Sequence, residues 1–223
     1  MNDTIGRADG SILNDSEMND SEFTVGSLLE KVESYARSNG FADTLKAIEI
    51  MKKYHSGACR KGPEKAAYIV HPLTLAAQAI SLGIGDDIVI SACLLHDVLE
   101  DSDATADDLN VNADIIEAVE LVSFDENTAS TKEEAKRIYF EKIAENPIAS
   151  IVKVLDRCNN ISNMSKAFSC EKMKNYLEET YRYILPLIDK LEAAYADRNG
   201  AWFAVKYHML AVLETIGVFV YNC

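Results

Sequence analysis

From residue 27 to residue 218 the apolar side chains recur at three- and four-residue spacing, and strict period-two alternation never persists between hairpin turn signals. That pattern restricts the chain to helices packed on helices. Glycine and proline, 10 and 4 among 223 residues, are too scarce to punctuate a sheet. Ser27 and Glu30 have capping-box spacing ahead of Leu28, Leu29 and Val32, and Asn39-Gly40 supplies a stop. Asp43 is placed to cap a second helix carrying Leu45, Ile48, Met51 and Tyr54. A break follows from Gly57 to Pro63. Pro72 then suits the first turn of a third helix running to Gly83, and Asp86 or Asp87 caps a fourth, strongly apolar one through Leu99. Thr105 with Asp108 starts a short helix, Asp114–Val122 forms another, and Ser130-Thr131 caps one that ends at Asn146-Pro147. Ile148–Met164, Glu171–Lys190 and Ala201–Val218 complete the set, with Trp202, Phe203, Tyr207, Met209 and Leu210 expected to pack. The expected fold class is all-α: one compact helical bundle of about ten helices over residues 25–223. A disordered acidic N-terminal tail over residues 1–24, with six acids against one arginine, precedes it.

Composition narrows the function. Hydrophobic residues at 48% and charged residues at 26% fit an ordinary soluble domain. Ala76–Ile90 is interrupted by Gln78, Asp86 and Asp87, so no membrane span is expected there or elsewhere, and the acidic N-terminus does not resemble a secretory signal. The formal net charge of −14 repels phosphate backbones, which disfavours nucleic acid as a partner. A small phosphorylated ligand is compatible with that field, because a few local cations and a metal outweigh it. Five cysteines, an odd number with no CxxC spacing, fit free thiols in a reducing cytoplasm. A homo-oligomer stays open.

The chemistry concentrates at Leu95-His96-Asp97-Val98-Leu99-Glu100-Asp101, where four ionisable groups fall within six residues directly after an apolar helix. Helical geometry sets Glu100 one turn beyond His96 and Asp101 one turn beyond Asp97. Burying such a cluster requires compensation, which a divalent cation provides. His71-Pro72 opens another helix, and Val154-Leu155-Asp156-Arg157 places a charged pair inside an apolar one, with Asn160 one turn later. Two histidines and two aspartates from three helices suit a transition metal in a bundle core, with open positions favouring Mn²⁺, Fe²⁺ or Zn²⁺.

The order His71, His96-Asp97, Asp156 resembles the H…HD…D pattern of the HD phosphohydrolase superfamily. More narrowly, the chain from about Ala47 to Leu187 resembles the hydrolase domain of the RelA/SpoT-type stringent-response enzymes and their stand-alone small alarmone hydrolases. The resemblance is carried by Tyr54-His55-Ser56-Gly57-Ala58-Cys59-Arg60-Lys61, Tyr68-Ile69-Val70-His71-Pro72-Leu73, the His96–Asp101 run, Lys153–Asn160, and Glu179-Thr180 with Tyr183 and Pro186-Leu187. It implies an HD-domain helical bundle that removes pyrophosphate from the 3′ position of guanosine tetra- or pentaphosphate, usually with Mn²⁺. It implies His71, His96, Asp97 and Asp156 as metal ligands, and Glu100 and Asp101 as the carboxylates that orient or deprotonate water.

On the same resemblance Arg60 and Lys61 face the nucleotide and Asn160 contacts it. Tyr183 stands between a ribose or base contact and aromatic packing. Lys153 and Arg137 stand between receiving the leaving diphosphate and ordinary exposed helical charge. His55 is expected to brace its loop or pack. The chain departs from the family at Gly57-Ala58-Cys59, at Ala67, at Asn159 where a histidine is common, and at Asn163 where a threonine is. These positions bear on base recognition more than on metal ligation. An adenosine alarmone or the 2′-phosphate of NADPH is therefore an alternative substrate, and a non-catalytic nucleotide-sensing module an alternative function. A length of 223 residues leaves no room in this chain for an attached synthetase domain.

Overall fold

The computed structural model describes residues 23–55, 57 and 67–222. Among them are α1 (Val25–Asn39), α2 (Ala42–His55), α3 (Val70–Ser81), α4 (Asp87–Leu95), α5 (Val98–Asp101), α6 (Ala113–Val122), α7 (Lys132–Ile143), α8 (Pro147–Asn163), α9 (Cys170–Glu179), α10 (Leu185–Ala194) and α11 (Asn199–Val220), with no β-strand among the described residues. The tail expected over residues 1–24 lies outside them except for Phe23 and Thr24.

α4 is the axis of the bundle. Val89 through Leu95 are all buried, and the helix packs against α2, α3, α6 and α8. A helix apolar on every face has this one stable place. Its tight entry depends on Gly85, where a Cβ would stand 3.1 Å from the Ile80 nitrogen and 3.2 Å from the Ala79 carbonyl carbon. At the end of α1, Gly40 takes φ +71° and lets the Phe41 amide return to the Ala36 carbonyl at 2.9 Å.

Several helix ends differ from the sequence expectation, each for a local reason. α1 starts earlier, because the Thr24 hydroxyl, rather than that of Ser27, accepts the Ser27 amide. Asp86 caps α4 by accepting from the Val89 amide, which frees Asp87 for another helix. The Asp87 carboxylate accepts the Thr44 amide at 2.7 Å and the Asp43 amide at 3.3 Å, so α2 is capped from α4, and Asp43 pairs with Lys46 instead. α4 stops at Leu95 rather than Leu99, since the His96 imidazole takes the Cys93 carbonyl that a continuing helix would offer to the Asp97 amide.

The run Glu171–Lys190 divides into α9, a π turn over Thr180–Ile184 and α10. Pro186 has no N–H to donate, and the Leu185 amide reaches back to the Thr180 carbonyl. α11 corrects one packing expectation, that of Phe203 and Tyr207. With Lys206 and Glu214 as its only Asp, Glu, Lys or Arg residues, it is long and apolar enough to cross a membrane by length and composition. It lies along the bundle with Trp202, Val205, Met209 and Leu213 buried, while Phe203 and Tyr207, expected to pack, are exposed.

Candidate active site

Three elements converge beside the end of α4. His71 projects from the first turn of α3, His96 and Asp97 occupy the break between α4 and α5, and Asp156 sits midway along α8. His71 and His96 are each 3% exposed and Asp156 6%. His71 Nε2 stands 3.2 Å from Asp156 Oδ1 and 3.6 Å from Asp97 Oδ2. His96 Nε2 stands 3.1 Å from Asp97 Oδ1 and 3.8 Å from Asp156 Oδ1. Metal–donor bonds of about 2.1 Å place neighbouring donors roughly 3 Å apart, so these separations are those of edges around one cation.

The far nitrogens fix which face of each ring looks inward. His96 Nδ1 donates to the Cys93 carbonyl at 2.9 Å. His71 Nδ1 donates to Asn159 Oδ1 at 2.8 Å. Both rings therefore aim Nε2 at the carboxylates. His96 Nε2 is buried and finds no hydrogen-bond partner, a costly arrangement for a polar atom and the one a metal ligand requires. His71, His96 and Asp97 alone already have ligand atoms within 4.8 Å of one another. These residues fit a divalent cation.

Without a cation the charged groups of the site compensate one another. Burial opposes ionisation of Asp97, but His96 and then His71 hold its carboxyl below the usual range. Burial likewise opposes a charge on His96, and Asp97 overcomes it, lifting the imidazole to about 9. Asp156 is buried and yet held well below the usual range, chiefly by Lys153, whose Nζ lies 3.1 Å from Oδ2. Glu100 is shifted the other way. Partial desolvation raises its carboxyl, against the opposing pull of Lys153 and the Phe124 amide at 3.3 Å.

The remaining sequence candidates fall in different places. Asp101 and Asp97 both meet the Tyr68 hydroxyl, at 2.6 and 2.5 Å. Asn160 donates its amide to Asp156 Oδ1 at 2.6 Å. Lys153 is neither exposed nor open, being tied to Asp156 and set over the Tyr139 ring. Tyr183 stacks on Phe140 with ring centroids 4.4 Å apart, at the outer edge of the π turn. Arg137 is half exposed, and its ion pairs run along α7 to Glu134 and Glu141, away from the ligand set. Arg60 and Lys61 lie outside the described residues.

Two contacts had no signal in the sequence: Asn159 on His71, and Tyr68 on Asp97 and Asp101. Arg157, adjacent to Asp156, turns away and pairs with Glu179, donating also to Thr180 Oγ1 and the Tyr176 carbonyl. A cavity of about 1010 Å³ extends from His71 and Asn159 between α1, α3 and α8, with Thr74, Gln78 and Asn163 on its wall.

No family model matches the chain. The human guanosine-3′,5′-bis(diphosphate) 3′-pyrophosphohydrolase MESH1 is 32% identical over 145 residues, covering 61% of this chain and 80% of that one. Its Mus musculus counterpart is 30% identical over 155 residues, covering 68% and 86%. The Aquifex aeolicus guanosine-3′,5′-bis(diphosphate) 3′-pyrophosphohydrolase is 30% identical over 162 residues, which make up 70% of this chain and 21% of that longer one. A solved structure described as a metazoan ortholog of SpoT that hydrolyses ppGpp superposes with a TM-score of 0.58 at 23% identity, over 74% of this chain and 93% of that one. At that identity the match establishes the all-α fold.

Proposed function

The chain belongs to the guanosine-3′,5′-bis(diphosphate) 3′-pyrophosphohydrolase family, and on that premise we propose that it hydrolyses guanosine tetra- or pentaphosphate at the 3′ position, releasing pyrophosphate. The observation that carries this reading is the buried convergence of His71, His96, Asp97 and Asp156 around an unpartnered imidazole nitrogen. These four residues would hold a divalent transition metal, Mn²⁺ in our reading. Such an ion supplies positive charge against phosphoryl oxygens and acidifies water.

The protein's own groups have separate tasks. Glu100, with a raised carboxyl one turn past the ligands, accepts the proton of the attacking water, and Asp101 orients that water. Water adds to phosphorus, the bond to the 3′ oxygen breaks, pyrophosphate leaves, and the proton taken up by Glu100 is passed to the 3′ oxygen, which becomes a hydroxyl. Lys153 neutralises Asp156 and keeps it ionised among buried groups. Asn160 steadies the other oxygen of Asp156 while presenting its amide face to the nucleotide. The cavity between α1, α3 and α8 meets the ligand set only at His71, and neither Glu100, Asn160 nor Tyr183 lines it, so the nucleotide is not placed there. Arg60 and Lys61 contribute cations for the phosphates, the Tyr183–Phe140 stack forms a wall, and Arg137 reaches the leaving group only by exchanging its pairs on α7. A cytoplasmic setting agrees with the buried free thiols of Cys93 and Cys158.

The test is turnover with Mn²⁺, Mg²⁺ or Zn²⁺ on guanosine tetraphosphate, its adenosine analogue and NADPH. The proposal expects pyrophosphate from guanosine tetraphosphate with Mn²⁺. Orthophosphate from NADPH alone would move the chemistry to another nucleotide, and no turnover with metal bound would contradict catalysis.

A further inference from the structure

The Tyr68 hydroxyl lies 2.5 Å from Asp97 Oδ2 and 2.6 Å from Asp101 Oδ2, so one phenol touches a metal-ligand candidate and one of the two carboxylates assigned to water. Asp97 needs such a partner. It stands at a helix break where its carboxylate caps no backbone amide, and a terminal carboxylate torsion is broad and two-fold. Nothing in its own helix fixes the rotation that turns Oδ1 toward His96 and Oδ2 toward His71.

The phenol is itself held. The His55 ring packs on it with centroids 4.6 Å apart, and the His71 ring meets it edge-on at 6.4 Å. Its oxygen cannot swing without unpacking both. A phenol also has one hydrogen. Asp97 and Asp101 share it, and the carboxylate without it faces an oxygen lone pair.

We propose that Tyr68 is a positioning residue, whose hydroxyl fixes the Asp97 carboxylate for the metal. This rests on the reading of Asp97 as a ligand. The role is distinct from catalysis, since the hydroxyl acts through Asp97.

Tyr68→Phe deletes the hydroxyl and keeps the ring that packs on His55. Titration calorimetry with Mn²⁺ on the whole protein should give a 10- to 100-fold weaker affinity for the variant, the range for loss of a partner behind a ligand. Thermal melting of the metal-free protein should stay at the parental temperature. Saturating Mn²⁺ should restore kcat, with KM for the nucleotide unchanged. Parental Mn²⁺ affinity in Tyr68→Phe would overturn the proposal, as would a kcat defect that saturating Mn²⁺ leaves in place. A parent protein that binds no Mn²⁺ would instead overturn the ligand set itself.

Discussion

Asn159 Oδ1 accepts the His71 Nδ1 hydrogen at 2.8 Å across 88 residues of sequence, and Asn159 shares α8 with Asp156, the carboxylate nearest the other nitrogen of that ring. One helix thus sets both the tautomer of His71 and the acceptor it faces. Removing the amide in Asn159→Ala frees the ring to take the other tautomer, and Mn²⁺ affinity should fall about 10-fold or more. Asn159→Asp keeps an acceptor and should hold most of the affinity. Calorimetric titration of both variants checks this, and equal loss in the two would deny the orienting role.

Glu100 and Asp97 should separate cleanly by mutation. Asp97→Ala removes a charged ligand candidate, so manganese content by elemental analysis and turnover should both collapse. Glu100→Gln should retain the metal and lose about 10²- to 10⁴-fold in kcat, the usual worth of a general base. Wild-type turnover in that variant would remove Glu100 from the mechanism.

A base must be ionised to work. Desolvation raises the Glu100 carboxyl, so the acidic limb of the kcat/KM profile should fall at a pH above the ordinary carboxylate value of about 4.3. Glu100→Gln should abolish that limb. A limb that persists unchanged belongs to another group.

Arg157 and Glu179 carry a different burden, that of the fold. Arg157 is 4% exposed, so Glu179→Ala leaves a buried guanidinium without its carboxylate and should cost about 3–5 kcal/mol in denaturant unfolding. Burial opposes ionisation of Glu179, but Arg157 and Lys136 hold its carboxyl below the usual range. Its contribution is therefore complete above about pH 4.3 and disappears as pH falls through the lower folded value. The variant should show a shallower loss of stability below that pH than the parent. An identical acid slope would place the acid sensitivity elsewhere.

Much of this structure was legible because it is local. Apolar spacing and the cap at Thr131 locate helices, and Asp101 stands one turn beyond Asp97, its amide reaching the Asp97 carbonyl. What stayed hidden depends on contacts between distant segments. The capping of α2 by Asp87 requires α4 to begin beside it. The break at His96 requires its ring to prefer the Cys93 carbonyl. Lys153 looks like surface charge in sequence, because only the fold sets Asp156 and Tyr139 around it. Tyr68 and Asn159 carry no motif for what they touch. The apolar length of α11 was present in the sequence, where Phe203 and Tyr207 read as core residues although they face solvent.

The most direct test is a crystal grown with Mn²⁺ and measured at a wavelength where manganese scatters anomalously. The account predicts one strong anomalous peak bonded to His71 Nε2, His96 Nε2 and carboxylate oxygens of Asp97 and Asp156. A peak elsewhere, or His71 and Asp156 turned away from His96 and Asp97, would contradict it.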